Sequence, residues 1–191
     1  MDKKQIIVAT TNKGKLEEIQ SIFSNFAIIS AKDLGYSEEI KETGKTFEEN
    51  ALIKAKTIAK HFNRFCIADD SGICIDYLNG FPGVRTARFL PGTDHQRNLY
   101  ILEKMKDVPK EKRTVTFRVS IAIANSKLAL TVNEDLNGYI STSPRGKNGF
   151  GFDEIFELDD GRTLAELSFE EKNKISNRKK ALEAIRNYLD S

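Results

Sequence analysis

Near the start of the chain the apolar run Gln5-Ile6-Ile7-Val8-Ala9-Thr10 breaks into Thr11-Asn12-Lys13-Gly14-Lys15. A strand that feeds a polar, glycine-containing turn into a helix points free backbone N–H groups at one place. With the ammonium groups of Lys13 and Lys15 beside them, that is chemistry for an anion, phosphate above all. The spacing is not that of a Walker A loop, and the stretch around Gly146-Lys147 does not match one either. An ordinary capped helix with solvated lysines fits the same residues.

A second group is Ala68-Asp69-Asp70-Ser71-Gly72. Adjacent carboxylates directly after an apolar strand are costly if buried and unpaired. On extended backbone their side chains diverge, so one can hold a metal while the other orients a loop or a base. Carboxylate oxygens are the usual ligands of Mg²⁺, which keeps several waters and bridges substrate phosphates. Glu42 and Glu49 are further acidic candidates, and a polar turn in which Asp caps a loop is the plainer alternative. Asn50 and Lys54, four apart, share one helix face, from which a lysine can meet a phosphate or simply be solvated. The segment Pro144 to Asp153 holds Gly146, Gly149 and Gly151, two basic groups, Phe150, Phe152 and Asp153. There glycines allow close backbone approach, an aromatic can stack on a base, and Asp can accept from ring N–H groups. A hairpin-like loop with core phenylalanines reads equally well. The charge run Glu170 to Lys179 is partly structural, since Ser168-Phe169-Glu170-Glu171 matches a capping box.

The elements that must position these groups follow from periodicity. Gln5–Thr10 reads as a strand. A helix capped by Asn12 follows, with Leu16, Ile19, Ile22 and Phe23 on one face. Phe26–Ser30 reads as a second strand. Thr46-Phe47-Glu48-Glu49 opens a helix whose buried stripe is Ala51, Leu52, Ala55, Ile58, Ala59 and Phe62. Phe65–Ala68 and Ile73–Tyr77 read as strands on either side of the acidic turn, and a helix covers Gln96 to Lys106. Thr114–Asn125 and Leu128–Val132 form a hairpin about Ser126-Lys127. Gly-rich loop runs from Ser141 to Asp153, and a last helix carries Ala181, Leu182, Ile185 and Leu189. Interleaved strands and helices with a later hairpin imply a mixed α/β fold.

The 191 residues, 39% hydrophobic and 30% charged, suit one domain with a sizeable core. Thirty basic against 28 acidic residues, interspersed, exclude a strongly basic nucleic-acid binder. No apolar run approaches a bilayer span, and Met1 to Val8 lacks a signal-peptide apolar region. Two cysteines, Cys66 and Cys74, cannot make a disulfide framework and read as small core residues. The two histidines, His61 and His95, have no partner spacing, which argues against a His-based zinc site or a Ser-His-Asp triad.

Taken jointly, the blocks resemble the inosine triphosphate pyrophosphatase family, also called Ham1 or RdgB-like, over almost the whole chain and in order. The resemblance is carried by Thr10-x-Asn12-x-x-Lys15, Glu42-Thr43-Gly44-x-Thr46-Phe47-x-Glu49-Asn50-Ala51-x-x-Lys54-Ala55 and Ala68-Asp69-Asp70-Ser71-Gly72. It continues in Gly80-x-Pro82-Gly83-Val84-x-x-Ala87-Arg88, Pro144-Arg145-Gly146, Gly149-Phe150-Gly151-x-Asp153 and Ala165-Glu166-Leu167-x-x-Glu170-Glu171-Lys172-Asn173-x-Ile175-Ser176-x-Arg178. It implies one domain over residues 1–191, with a mixed twisted sheet, flanking helices and two lobes around a central nucleotide-binding cleft. It also implies a cytoplasmic, Mg²⁺-dependent homodimer that hydrolyses the deaminated purine triphosphates ITP, dITP and XTP to monophosphate and pyrophosphate, with neither nucleic acid nor membrane as partner.

Carried over residue by residue, Thr10, Thr11, Asn12, Lys13, Gly14 and Lys15 would hold the triphosphate, with Lys54 beside it. Glu42 and Asp70 would bind metal, Asp70 would also accept the proton of the attacking water, and Ser71 would contact substrate. Phe150, Gly151, Phe152, Asp153, Lys172, Asn177 and Arg178 would line the base pocket, Phe150 stacking on the ring. Choosing Asp70 over Asp69 rests on the family alone. Members usually read Ser-His-Arg where this chain has Ser176-Asn177-Arg178, and Gly-Tyr-Asp-Pro where it has Gly151-Phe152-Asp153-Glu154. Both departures fall at the base pocket, so hydrolysis is expected to be kept and discrimination among purines altered. Maf-like pyrophosphatases are the nearest rival, opposed by Gly149-Phe150-Gly151 and Ser176-x-Arg178. A nucleotide-binding module without catalysis is the rival from another class, opposed by retained Glu42, Asp69 and Asp70.

Overall fold

A computed structural model describes residues 4–190, the side chain of residue 190 excepted; Met1-Asp2-Lys3, part of the charged start read above, and Ser191 lie outside them. The strands are β1 (Gln5–Val8), β2 (Ala27–Ser30), β3 (Cys66–Ile75), β4 (Phe81–Pro82), β5 (Thr114–Ala124), β6 (Ala129–Ile140) and β7 (Phe156–Glu157). The helices are α1 (Lys13–Ile22), α2 (Phe47–Phe62), α3 (Asp94–Lys104), α4 (Phe169–Ile175) and α5 (Asn177–Asp190). Hydrogen-bonded neighbours run β2-β1-β3-β5-β6-β7, with β4 beside β3. β1 pairs parallel with β2 and β3, whereas β3/β4 and β6/β7 are antiparallel. The mixed α/β class is as expected. No helix among the described residues is long and apolar enough to cross a membrane.

The chain forms two compact units: one holds residues up to 70, Val119–Glu134 and Asn177 onward, the other Ser71–Arg118 and Asp135–Ser176. In the first unit, Ala51, Ala55, Ile58 and Ala59 of α2 are buried with Ile7, Cys66, Ala68, Ala122 and Ala124. Alanines at helical spacing let α2 lie close on the strands, and each buried isoleucine contributes about 1.5–3 kcal/mol. Leu52 and Phe62, expected in that stripe, are only partly buried at its margin. α1 buries Ile19 and Ile22 and contacts α5, which buries Ala181, Leu182 and Ile185. In the second unit Ile73, Ile75, Ile101, Met105, Val115, Ile140 and Phe156 close the core. Arg113 is buried there, its guanidinium donating to the carbonyls of Ile140 (2.6 Å), Ser141 (2.5 Å) and Met105. Those bonds tie the end of α3 to β6, giving a buried cation the acceptors it requires.

Three boundaries differ from the expectation. The acidic segment is not a turn: β3 runs unbroken from Cys66 to Ile75, with Asp69 held by the ion pairs described below and Asp70 projecting to the opposite face of the extended backbone. β6 continues to Ile140 and does not stop at Val132; Asn133-Glu134-Asp135 hides a strand whose polar groups are bonded, as in the Asp135 pair with Arg118 (2.9 and 2.7 Å). α3 begins at Asp94, where Thr93 and Gln96 form a reciprocal capping box. The β5–β6 hairpin is closed as expected, with Asn125 Oδ1 accepting from the backbone N–H of Lys127 and Leu128 at 2.8 and 2.7 Å.

Candidate active site

In the first unit, β1 ends in a turn that Thr10 and Asn12 organise. The Thr10 hydroxyl accepts from Asn12 N–H (3.2 Å), and Asn12 caps α1 by accepting from Lys15 N–H (3.1 Å). Thr11, Asn12 and Lys13 are exposed. Lys15 turns inward to an ion pair with Asp69. Asp69 has no solvent exposure and also accepts from Arg178 Nε at 3.0 Å, while Arg178 Nη1 meets Glu18 at 2.8 Å. A buried chain of charge, Glu18–Arg178–Asp69–Lys15, thus joins α1, β3 and α5. Burial alone would push the Asp69 carboxyl up, but Lys15 and Arg178 override it and hold it well below the usual carboxylate range. Burial draws the Lys15 ammonium below its ordinary value against the pull of Asp69.

Asp70 points the other way along β3, into a second group. Lys54, one turn after Asn50 on α2, lies 2.6 Å from Glu42 and 3.5 Å from Asp70. Burial would lower the Lys54 ammonium, but Asp70 and Glu42 outweigh it and raise the pKa. Burial pushes the Asp70 carboxyl up, Lys54 opposes, and Glu42 adds to the rise. Asn50 is buried and accepts from Gly44 N–H at 2.8 Å. A Cβ at Gly44 would stand 2.6 Å from Asn50 Oδ1, so the glycine is what lets this loop close on α2. A pocket of about 690 Å³ opens beside Thr10, Thr11 and Lys54, walled by Tyr36, Ile40 and Ile58.

Among the described residues no three His, Cys, Asp or Glu side chains gather at metal-binding distance. Two carboxylates, however, are what Mg²⁺ takes from a protein when substrate phosphates and water complete its shell. Asp70 Oδ2 is buried and has no hydrogen-bond partner among the described residues, an orphaned acceptor of the kind a cation satisfies. The donor set of Glu42 and Asp70 therefore fits Mg²⁺.

The second unit carries the aromatic loop. Asp153 is buried, and its Oδ2 accepts from Phe150 N–H (2.9 Å) and from Lys172 Nζ (2.5 Å). The same ammonium lies 5.0 Å from the centre of the Phe150 ring. Gly149 has φ +78°, and a Cβ there would strike Asp153 Oδ2 at 2.0 Å. A pocket of about 300 Å³ is lined by Gly149, Phe150, Gly151, Asp153 and residues of α3. Phe152 is partly buried against the core of this unit. Ser71, half-buried, also belongs to the second unit.

The residues singled out for phosphate and metal, Thr10 to Lys15, Glu42, Lys54 and Asp70, thus share the first unit, and Phe150, Gly151, Asp153 and Lys172 gather in the second. Asn177 and Arg178 open α5 in the first unit; Asn177 is buried and donates to the Glu134 carbonyl at 3.3 Å. Sequence reasoning missed Glu18, whose only signal is its place on α1 one turn after Lys15. It also missed Asp94, His95 and Asn98, which no motif marks.

The Ham1 family model matches residues 6–188. A dITP/XTP pyrophosphatase of Thermoanaerobacter sp. (strain X514) is 45% identical over 97% of this chain and 96% of its own length. One of Bacillus subtilis (strain 168) is 43% identical over 98% of each. Among solved structures, the Staphylococcus aureus Ham1 protein matches with a TM-score of 0.89 at 33% identity, covering 98% of both chains.

Proposed function

The chain belongs to the Ham1 family, and we propose that it is a nucleoside triphosphate pyrophosphatase that hydrolyses ITP, dITP and XTP to the monophosphate and pyrophosphate. Water attacks the α-phosphorus, the α–β anhydride bond breaks, and pyrophosphate leaves. Asp70 accepts the proton of that water. The observation that supports this role is Asp70 itself: it lies beside Lys54 and Glu42, with its buried Oδ2 unpartnered among the described residues. Lys15 and Lys54, with the turn Thr10 to Gly14, offset the charge of the triphosphate and of the leaving pyrophosphate. Glu42 and Asp70 hold Mg²⁺, which when bound neutralises charge developing on the phosphoryl oxygens.

In the same reading Phe150, Gly151, Phe152, Asp153, Lys172, Asn177 and Arg178 recognise the purine, with Phe150 stacking on it, and Ser71 contacts substrate. Arg178 in addition anchors Asp69 through its buried pair. Asn177 and Phe152, which stand where family members usually carry His and Tyr, alter the discrimination among purines without abolishing hydrolysis. The chain works as one domain in a cytoplasmic homodimer and takes neither nucleic acid nor membrane as partner.

The test is pyrophosphate release from ITP, dITP, XTP, GTP and ATP with Mg²⁺. ITP, dITP and XTP should be turned over faster than GTP and ATP, and Asp70→Asn should lower kcat by about 10²–10⁴-fold. Release of orthophosphate in place of pyrophosphate, or full activity in Asp70→Asn, would refute the assignment. Binding of every nucleotide with no turnover would mark a non-catalytic module.

A further inference from the structure

The first turn of α3 holds the backbone of the aromatic loop, and Asp94, His95 and Glu154 line the same pocket as Phe150. Asp94 Oδ2 accepts from Gly151 N–H at 3.0 Å, and Asn98 Nδ2 donates to the Gly151 carbonyl at 2.9 Å. Asn98 Nδ2 also donates to Glu154 Oε1 at 2.9 Å, and the same oxygen meets His95 Nδ1 at 2.8 Å. Asp94 is itself steadied by Arg97 Nη1 at 3.0 Å, and Arg97 Nε bonds the Leu90 carbonyl at 3.0 Å. Asn98 is fully buried. Its two amide hydrogens go to Gly151 and Glu154, so losing either bond leaves the buried Asn98 amide short of an acceptor.

The loop requires such support. Gly149 and Gly151 both have positive φ, +78° and +66°, and glycine is the residue with the most conformational freedom to lose. Phe150 lies between them, so its ring direction depends on two flexible positions. Bonds from Asp153 on one side of Phe150 and from Asp94 and Asn98 on the other fix the peptide planes that aim it.

We propose that Asn98, with Asp94, His95 and Glu154, forms a clamp that positions Phe150 against the purine and thereby sets affinity for the base. The clamp rests on the reading that Phe150 meets the base. Its members are positioning residues and touch no reacting atom.

The experiment compares ITP with tripolyphosphate, which offers the phosphates without a base. In Asn98→Ala and Glu154→Ala the KM for ITP should rise about five- to tenfold while kcat stays within about twofold, the loss expected of buried hydrogen bonds that act only on binding. The Kd for tripolyphosphate should not change. Glu154→Gln, which keeps an oxygen for Asn98 and His95, should recover most of the ITP affinity. Leu99→Ala, exposed on the same helix, serves as the control for α3. Because Asn98 is buried, Glu154→Ala carries the test should Asn98→Ala fail to fold. Unchanged KM for ITP in folded variants overturns the clamp alone. A parallel loss of ITP and tripolyphosphate also overturns it, by showing a general structural role. Failure of the unsubstituted protein to bind ITP while binding tripolyphosphate overturns the base assignment and the clamp with it.

Discussion

Asp69 and Asp70 are neighbours with opposite fates, because extended backbone sends consecutive side chains to opposite faces. That divergence is legible in the sequence; the partners are not. Lys15 lies 54 residues from Asp69 and Arg178 lies 109 away, and no local pattern joins positions that only folding brings together. Adjacency alone does not say which aspartate is structural, whereas burial and pairing do: Asp69 is locked between two cations, and Asp70 keeps an oxygen that has no partner among the described residues. Asp69→Asn should therefore cost about 3–5 kcal/mol at neutral pH, since it leaves Lys15 and Arg178 facing a neutral group in a buried site. The pH dependence follows from the depressed carboxyl. A folded pKa below the unfolded one gives stability that is complete above the unfolded value, near ~3.9, and is lost as pH falls towards the folded value. Urea unfolding from pH 7 to pH 3 should show the gap between the two proteins nearly constant above about pH 5 and narrowing below about pH 4. A gap that does not change with pH would show that Asp69 titrates alike in both states.

At the scale of elements, what could be read was what local chemistry determines. Asn12, Thr46 and Ser168 cap helices as expected, and the stripes of α1, α2 and α5 are buried largely at the expected positions. The full lengths of β3 and β6 are not legible locally, because consecutive polar residues look like a turn when their partners lie elsewhere in the chain. Even the capping box at Thr46 is modified: Thr46 accepts from Glu49 N–H at 3.1 Å, while the Glu49 carboxylate reaches one residue further back, to Lys45 N–H at 2.6 Å. That start matters to the site, since Asn50 and Lys54 lie within the first two turns of α2. Thr46→Ala should lower unfolding free energy by about 1 kcal/mol and speed hydrogen exchange at the amides of Glu48 to Asn50. Undiminished protection at those amides would show that packing of Ala51 and Ala55 alone holds the turn.

For the whole molecule, near-neutral net charge conceals a strongly ionic interior. Basic and acidic residues number 30 and 28, yet Lys15, Lys54, Glu42, Asp69, Asp70 and Arg178 concentrate in one unit with little or no exposure. Holding so many charges away from water costs stability that mutual pairing only partly returns. A protein built for stability alone would place apolar side chains there; one built to receive a polyanion and its cation keeps them. The ligand should then raise the stability of the entire fold. With an ITP analogue that carries a methylene bridge between the α and β phosphorus atoms, together with Mg²⁺, unfolding should move up. At one hundred times the dissociation constant the gain is about 2.7 kcal/mol, equivalent to about 5–10 °C for a chain of this size. Calorimetric scans at rising analogue concentration check this. The midpoint should climb with the logarithm of concentration, and chelating the Mg²⁺ should cut the shift. A shift that survives chelation unchanged would mean that the lysines and the turn at Thr10 to Lys15 bind the phosphates unaided, leaving Glu42 and Asp70 without a role in affinity. No shift at any concentration would place the polyanion elsewhere and leave the buried charges as structure only.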